Sequence, residues 1–153
     1  MFRASVAALL GGLLFLSPAM AGEPGVKTEF VGGTLAGIAP RSTARLELTG
    51  SETLKFSVGK TELEISYRKI DTLEYGQHVS RRYAEAVLLS PILLLSKSRK
   101  HFVTLGYEDA AGQHQALVFR VEKGDIRGVL ASLETRSGRK VVYQDDEARK
   151  AGQ

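Results

Sequence analysis

Three histidines are the side chains best suited to chemistry near neutral pH, and their spacing argues against a shared site. His78 and His114 each follow a Gly-Gln pair, which places them in or beside turns, and His101 stands apart from both. A metal needs ligands that converge, as at i and i+4 on a helix, and no pair of these histidines has that spacing. There is no cysteine, which excludes thiol nucleophiles, zinc-thiolate sites, disulfides and lipid attachment to an N-terminal Cys. Glu62 and Glu64 read as the wet face of a strand rather than a catalytic carboxylate pair. Gly32-Gly33 lacks the Lys-Ser/Thr pair and following helix of a phosphate loop, so it reads as a joint. Serine nucleophile elbows and Walker loops are absent. The sequence therefore predicts a binding or interaction module, with no catalytic residue, no metal and no cofactor.

The stretch that stands out is apolar. Tyr83 to Phe102 reads YAEAVLLSPILLLSKSRKHF, with Val87, Leu88, Leu89, Ile92, Leu93, Leu94 and Leu95 as the candidate interaction residues. Arg81 and Arg82 precede it and Lys97, Arg99 and Lys100 follow, a set that suits an anionic surface or ordinary solvated flanks. From Ala84 to Leu95 a helix would be about 18 Å long, short of a hydrocarbon core of about 30 Å. Pro91 divides the stretch, since proline starts helices but does not continue them. The segment is thus either core or a surface element, and as a surface element it exposes more apolar area than a monomer usually does. A surface placement implies a protein partner, a second copy of the chain, or an anionic membrane surface.

The N-terminus bears on which partners are reachable. Arg3, the apolar run Ala4 to Leu16, Pro18 and Ala19-Met20-Ala21 follow the order of a signal peptide, with cleavage expected after Ala21. Export, periplasmic or extracellular, makes nucleic acid an unsuitable partner despite a pI of 9.4. The formal charge is only +4, and Arg3 leaves with the leader. The remaining chain is the size of one domain.

Period-2 alternation dictates the elements that must position the insertion. Residues 22–42 show no sustained period and read as an N-terminal arm, with a short strand at Thr34 to Ile38. Ala44, Leu46 and Leu48, then Leu54, Phe56 and Val58, then Leu63, Ile65 and Tyr67 alternate with polar residues, predicting a three-stranded antiparallel meander with turns at Thr49–Glu52 and Gly59-Lys60. Ile70 to Gly76 is a fourth strand. Beyond the insertion, His101 to Tyr107 and Ala116 to Val121 are strands apolar on both faces, which must be covered on both sides. Ile126, Val129, Leu130 and Leu133 fall on one stripe of a helix, with Asp125 as N-cap and Gly138 as the left-handed stop. That helix is the expected cover. Arg139 to Tyr143 is an extended tail, and 144–153 a charged, frayed one.

Six or seven short antiparallel strands closed by one C-terminal helix resemble a pleckstrin-homology-like barrel or sandwich. Ile65-Ser66-Tyr67-Arg68-Lys69-Ile70-Asp71-Thr72-Leu73-Glu74-Tyr75-Gly76 is similar to a strand-to-strand step of bacterial members, and Lys123-Gly124-Asp125-Ile126 opens the helix in a similar way. The resemblance covers residues 43–143, with the insertion at 83–99, and extends to exported bacterial proteins of this fold. Eukaryotic members bind inositol phosphates through a basic turn between their first two strands. The corresponding turn read here, Thr49-Gly50-Ser51-Glu52, holds no Lys or Arg, so that activity does not carry over.

Overall fold

The computed structural model describes residues 24–78 and 100–153. It is mainly β: a curled, eight-stranded mixed sheet forming a half-barrel, with two short C-terminal helices. The strands are β1 (Val26–Gly33), β2 (Ser42–Glu47), β3 (Thr53–Val58), β4 (Thr61–Ser66), β5 (Ile70–Gly76), β6 (His101–Glu108), β7 (His114–Val121) and β8 (Val142–Tyr143). The helices are α1 (Ile126–Ser137) and α2 (Asp146–Gly152), and a single 3-10 turn, Tyr67–Lys69, joins β4 to β5. Across the sheet the order is β4-β3-β2-β1-β7-β6-β5-β8.

The predicted meander forms in the register that its alternation requires. Leu46 lies opposite Phe56 and Phe56 opposite Leu63, so the apolar sets of β2, β3 and β4 share one face. Gly59, at φ 58, turns β3 into β4, and a glycine at the first central position of a two-residue hairpin matches the right-handed twist of the strands. On the concave side Phe56 lies between Phe30 and Phe119, with ring centroids 6.3 and 5.7 Å away.

Helix α1 fills that concave side as its stripe predicts: Ile126, Val129, Leu130 and Leu133 are all buried in the same core as Phe30, Phe56 and Phe119. Burying each such side chain is worth about 1.5–3 kcal/mol. Gly138, at φ 69, ends the helix and returns its amide to the Glu134 carbonyl. From the last turn, Arg136 donates to the Gly50 carbonyl and sits 5.7 Å from the Tyr67 ring, tying the helix end to two turns of the half-barrel.

Three expectations about the first strands are corrected. The N-terminal arm contains β1, which lies between β2 and β7 at the centre of the sheet, and its register shifts between Phe30 and Gly32. Val26, Thr28 and Phe30 alternate correctly, but the bulge and Gly32-Gly33 cut the pattern short before it reads as a strand. Thr34 to Ile38 is a loop rather than a strand, with Gly37 at φ 82. The turn between the first two strands is consequently 34–41, TLAGIAPR, which carries a single cation, Arg41. Asp125 is the N-cap residue of α1, as predicted, although its carboxylate makes no capping bond; its carbonyl accepts from Val129 N–H while the Glu122 carbonyl accepts from the Asp125 and Ile126 amides.

Residues 146–152 form α2 rather than a frayed tail. Asp145 caps it through the Ala148 amide at 2.6 Å, Asp146 and Glu147 occupy the positive end, and Arg149 and Lys150 the negative end. Ala148 is fully buried, and a Cβ at Gly152 would meet Tyr143, Leu130 and Tyr75 within about 3 Å. The expected extended tail adds β8, parallel to β5, which brings the sheet to eight strands.

Candidate functional site

Two places hold the side chains a function could use: the foot of the apolar insertion, and the open seam where β4 and β5 part. At the foot, Gly76 lies opposite Phe102, and the Lys100 amide donates to the Gln77 carbonyl at 3.5 Å, so strands β5 and β6 hold the two ends of the insertion together. Of the candidate contact residues, Lys100 is half-buried at this foot. Val87, Leu88, Leu89, Ile92, Leu93, Leu94, Leu95, Arg81, Arg82, Lys97 and Arg99 lie outside the described residues.

Just inside the foot, His101 does not sit in a turn. Its ring stacks on Tyr75 at 6.0 Å and 8°, and Nδ1 lies 2.5 Å from the Tyr75 hydroxyl. Burial, then Lys123, lowers the His101 pKa, while burial, with Tyr143 and Asp145 adding to it, pushes Tyr75 up to about 12. Both groups are therefore neutral at pH 7 and share one hydrogen bond, whose direction follows the imidazole tautomer. Tyr143 meets Tyr75 edge-on at 6.0 Å, so α2 and β8 close this corner. Tyr75 belongs to an unbroken buried run, and nothing in the sequence distinguishes it from an ordinary core residue.

The face of β1, β7, β6 and β5 that looks away from α1 has its own buried set. Cross-strand registers place Gly32, Val118, Thr104 and Glu74 in one row, with Phe102 beside them and Ala116 and Gly106 in the next row. Val118 is 0 % exposed, Thr104 4 % and Phe102 5 %. The helices lie elsewhere: α1 on the 3-10 turn and β5, α2 on β5 and β8, with their buried residues in the concave core. The expectation that the final helix covers both faces of these strands is corrected to one face. Gln144 reaches the second face at its edge, donating to Glu74 at 3.2 Å.

The seam lies at the other end of β5. Only Tyr67–Lys69 separates β4 from β5, yet β4 ends the sheet order on one side while β5 lies next to last on the other, and the two are not paired. Beside β4 a cleft of about 570 Å3 opens, with Leu35, Leu63, Ile65 and Tyr107 among its walls and Lys69, Glu64, Glu108 and Asp109 at its rim. Lys69 is paired with Glu108. The Gln113 amide, the Gln115 side chain and the Ala111 amide hold the Asp109 carboxyl below its ordinary range and fix the β6–β7 turn at the cleft edge. Leu63 and Ile65 were legible only as the apolar set of a strand; the cleft they line depends on β5 diverging, which no local pattern announces.

His78 is exposed next to the foot, and His114 bonds Asp71 at 2.9 Å on the surface. Among the described residues no three His, Cys, Asp or Glu side chains are grouped to hold a metal, and no helix is long and apolar enough to cross a membrane. Comparison with known protein families gives no match to any family model, and comparison with curated proteins gives none either.

Proposed function

We propose that the chain is an exported, pleckstrin-homology-like interaction module of the cell envelope that works without catalysis, using its apolar insertion to contact a protein partner or a second copy of itself. One observation carries the reading. The concave core is already filled, by α1 and by Ala148 of α2, so the seven large apolar residues of the insertion are not required to complete it. The foot at Gly76, Gln77 and Lys100 fixes where the insertion leaves the sheet, next to a second face that is itself buried. A meander followed by a closing helix supports the fold reading, with eight strands in place of six or seven and a parallel β8 added.

The alternative is peripheral binding to an anionic bilayer through the same residues, assisted by Arg81, Arg82, Lys97, Arg99 and Lys100 at about 1 kcal/mol each. Salt separates the two. Screening weakens the lipid contact as the Debye length falls from about 10 Å at 0.1 M to about 3 Å at 1 M, whereas apolar burial is unscreened. The test pairs sedimentation-velocity sizing with co-sedimentation on anionic vesicles at both salt concentrations. We expect self-association or partner capture that persists at high salt and is lost in Leu93→Asp. Salt-sensitive vesicle binding by a strictly monomeric protein would replace this reading with the membrane one, and a Leu93→Asp variant that unfolds would retire both.

A further inference from the structure

We infer that the edge of β4, unpaired among the described residues, is a docking site for an extended protein segment that alternates basic and apolar residues, added to the sheet as a ninth strand. The backbone geometry comes first. In a two-residue hairpin the flanking residues, here Val58 and Thr61, exchange both hydrogen bonds, and the alternation then continues along the pair. Thr61, Leu63 and Ile65 thus turn their amides to β3, while Glu62, Glu64 and Ser66 turn theirs away from the sheet. β4 ends the sheet order on that side. An outward row of donors and acceptors is what an added strand recognises.

The side chains supply the selectivity. Neighbouring strands lie about 4.8 Å apart with residues alternating between faces, so a segment laid along β4 points every second side chain into the cleft with Leu63, Ile65, Leu35 and Tyr107. Its other side chains fall beside Glu62 and Glu64 on the opposite face, where Lys55 stands 3.8 Å from Glu62 and Thr53 donates to Glu64. The rim adds Glu108 and Asp109 against one cation, Lys69, which Glu108 already holds. With Lys55 and Lys69 both counted, the carboxylates of Glu62, Glu64, Glu108 and Asp109 still leave a negative excess, which selects a basic strand, since opposite charges across a strand pair attract and like charges repel. It disfavours a second copy of this chain docked through its own β4, which would bring glutamates against glutamates. An edge guarded solely against aggregation carries charge without an apolar cleft alongside; here the cleft offers the incoming side chains somewhere to go. This site lies on described residues at the opposite end of β5 from the insertion, and it stands whether or not the insertion binds anything.

The test uses the full chain and two capped synthetic hexapeptides, one alternating Lys and Val, the other Glu and Val. Amide hydrogen exchange is read residue by residue. With the lysine peptide tenfold above its Kd, exchange at Glu62, Glu64 and Ser66 is expected to slow by about tenfold, with Leu63 and Ile65, already bonded to β3, unchanged. The glutamate peptide should leave all five unchanged. In the double variant Glu62→Lys, Glu64→Lys, whose positions are exposed, the preference should reverse. Equal binding of both peptides, protection away from β4, no protection by either, or a preference that survives the double variant would each overturn the inference. So would protection of the same three amides by raising the protein concentration alone, which would assign the edge to a second copy.

Discussion

Thr28 is the described residue whose replacement should tell most about the core. Its side chain lies on the concave face of the central strand, opposite Ala44 on β2 and Val121 on β7, and is 5 % exposed. Its hydroxyl has no hydrogen-bond partner. A buried, unsatisfied hydroxyl costs about 1–3 kcal/mol, and Thr28→Val removes it at nearly constant shape, substituting a methyl that gains up to about 0.8 kcal/mol of burial. Discounting for partial relaxation, the variant should be more stable by about 1–2 kcal/mol. With an m-value of about 2 kcal/mol/M, the urea midpoint should rise by roughly 0.5–1 M at unchanged slope. Thr43→Val, one residue along on the exposed side of β2, keeps the β-branched shape and should stay within about 0.5 kcal/mol. A midpoint that falls in Thr28→Val, or rises equally in Thr43→Val, would refute the argument, because the gain would then not come from an orphaned hydroxyl.

Leu130→Ala, on the buried stripe of α1, should cost about 2–5 kcal/mol in the same melts, while Glu134→Ala, which loses the exposed Lys140 pair and a bond from the Val141 amide, should cost no more than about 1 kcal/mol. Asp145→Ala removes the α2 cap and should cost about 1 kcal/mol, with amide exchange rising first at Ala148. Because the folded state lowers the His101 pKa below its ordinary 6.5, the unfolded chain binds the proton more readily. The stability His101 contributes is complete above pH 6.5 and is lost as pH falls from there through the lower folded-state value, so melts from pH 8 to 5 should show a decline that flattens in His101→Phe. A decline of equal slope in both proteins would show that other groups set it.

The meander and α1 were legible because each obeys one period over its whole length: Leu54, Phe56 and Val58 at every second residue, Ile126, Val129, Leu130 and Leu133 on one helical stripe. β1 was not, since its inward set stops at Phe30, where the bulge admits an extra residue before two glycines. The C-terminal helix was hidden for a different reason. DDEARKAG has no apolar stripe, and its only fully buried side chain is Ala148, so what holds it is an aspartate cap, end charges and a glycine that fits against Tyr75. The histidine spacing could not reveal that His101 would meet Tyr75, because that meeting depends on a diagonal between β5 and β6. The seam cleft likewise arises from the divergence of β4 and β5 after a three-residue turn, a property of the closed core rather than of the turn.

The central position of β1 governs the order in which the chain can become a domain. Thr28 pairs with Val121, so the strand that begins the described chain finds one of its two neighbours only after some ninety further residues have been made. Until then β2 to β4 can form a meander against β1, but the apolar side of that sheet has neither β7 nor α1 to close it. Closure over such a separation is paid in loop entropy before it is rewarded by contacts, and folding rates fall as contacts become less local. A chain truncated before β7 cannot hold its first strand on both sides, and one still emerging from a ribosome or a pore remains thread-like, with its core open, until nearly all of it has passed through.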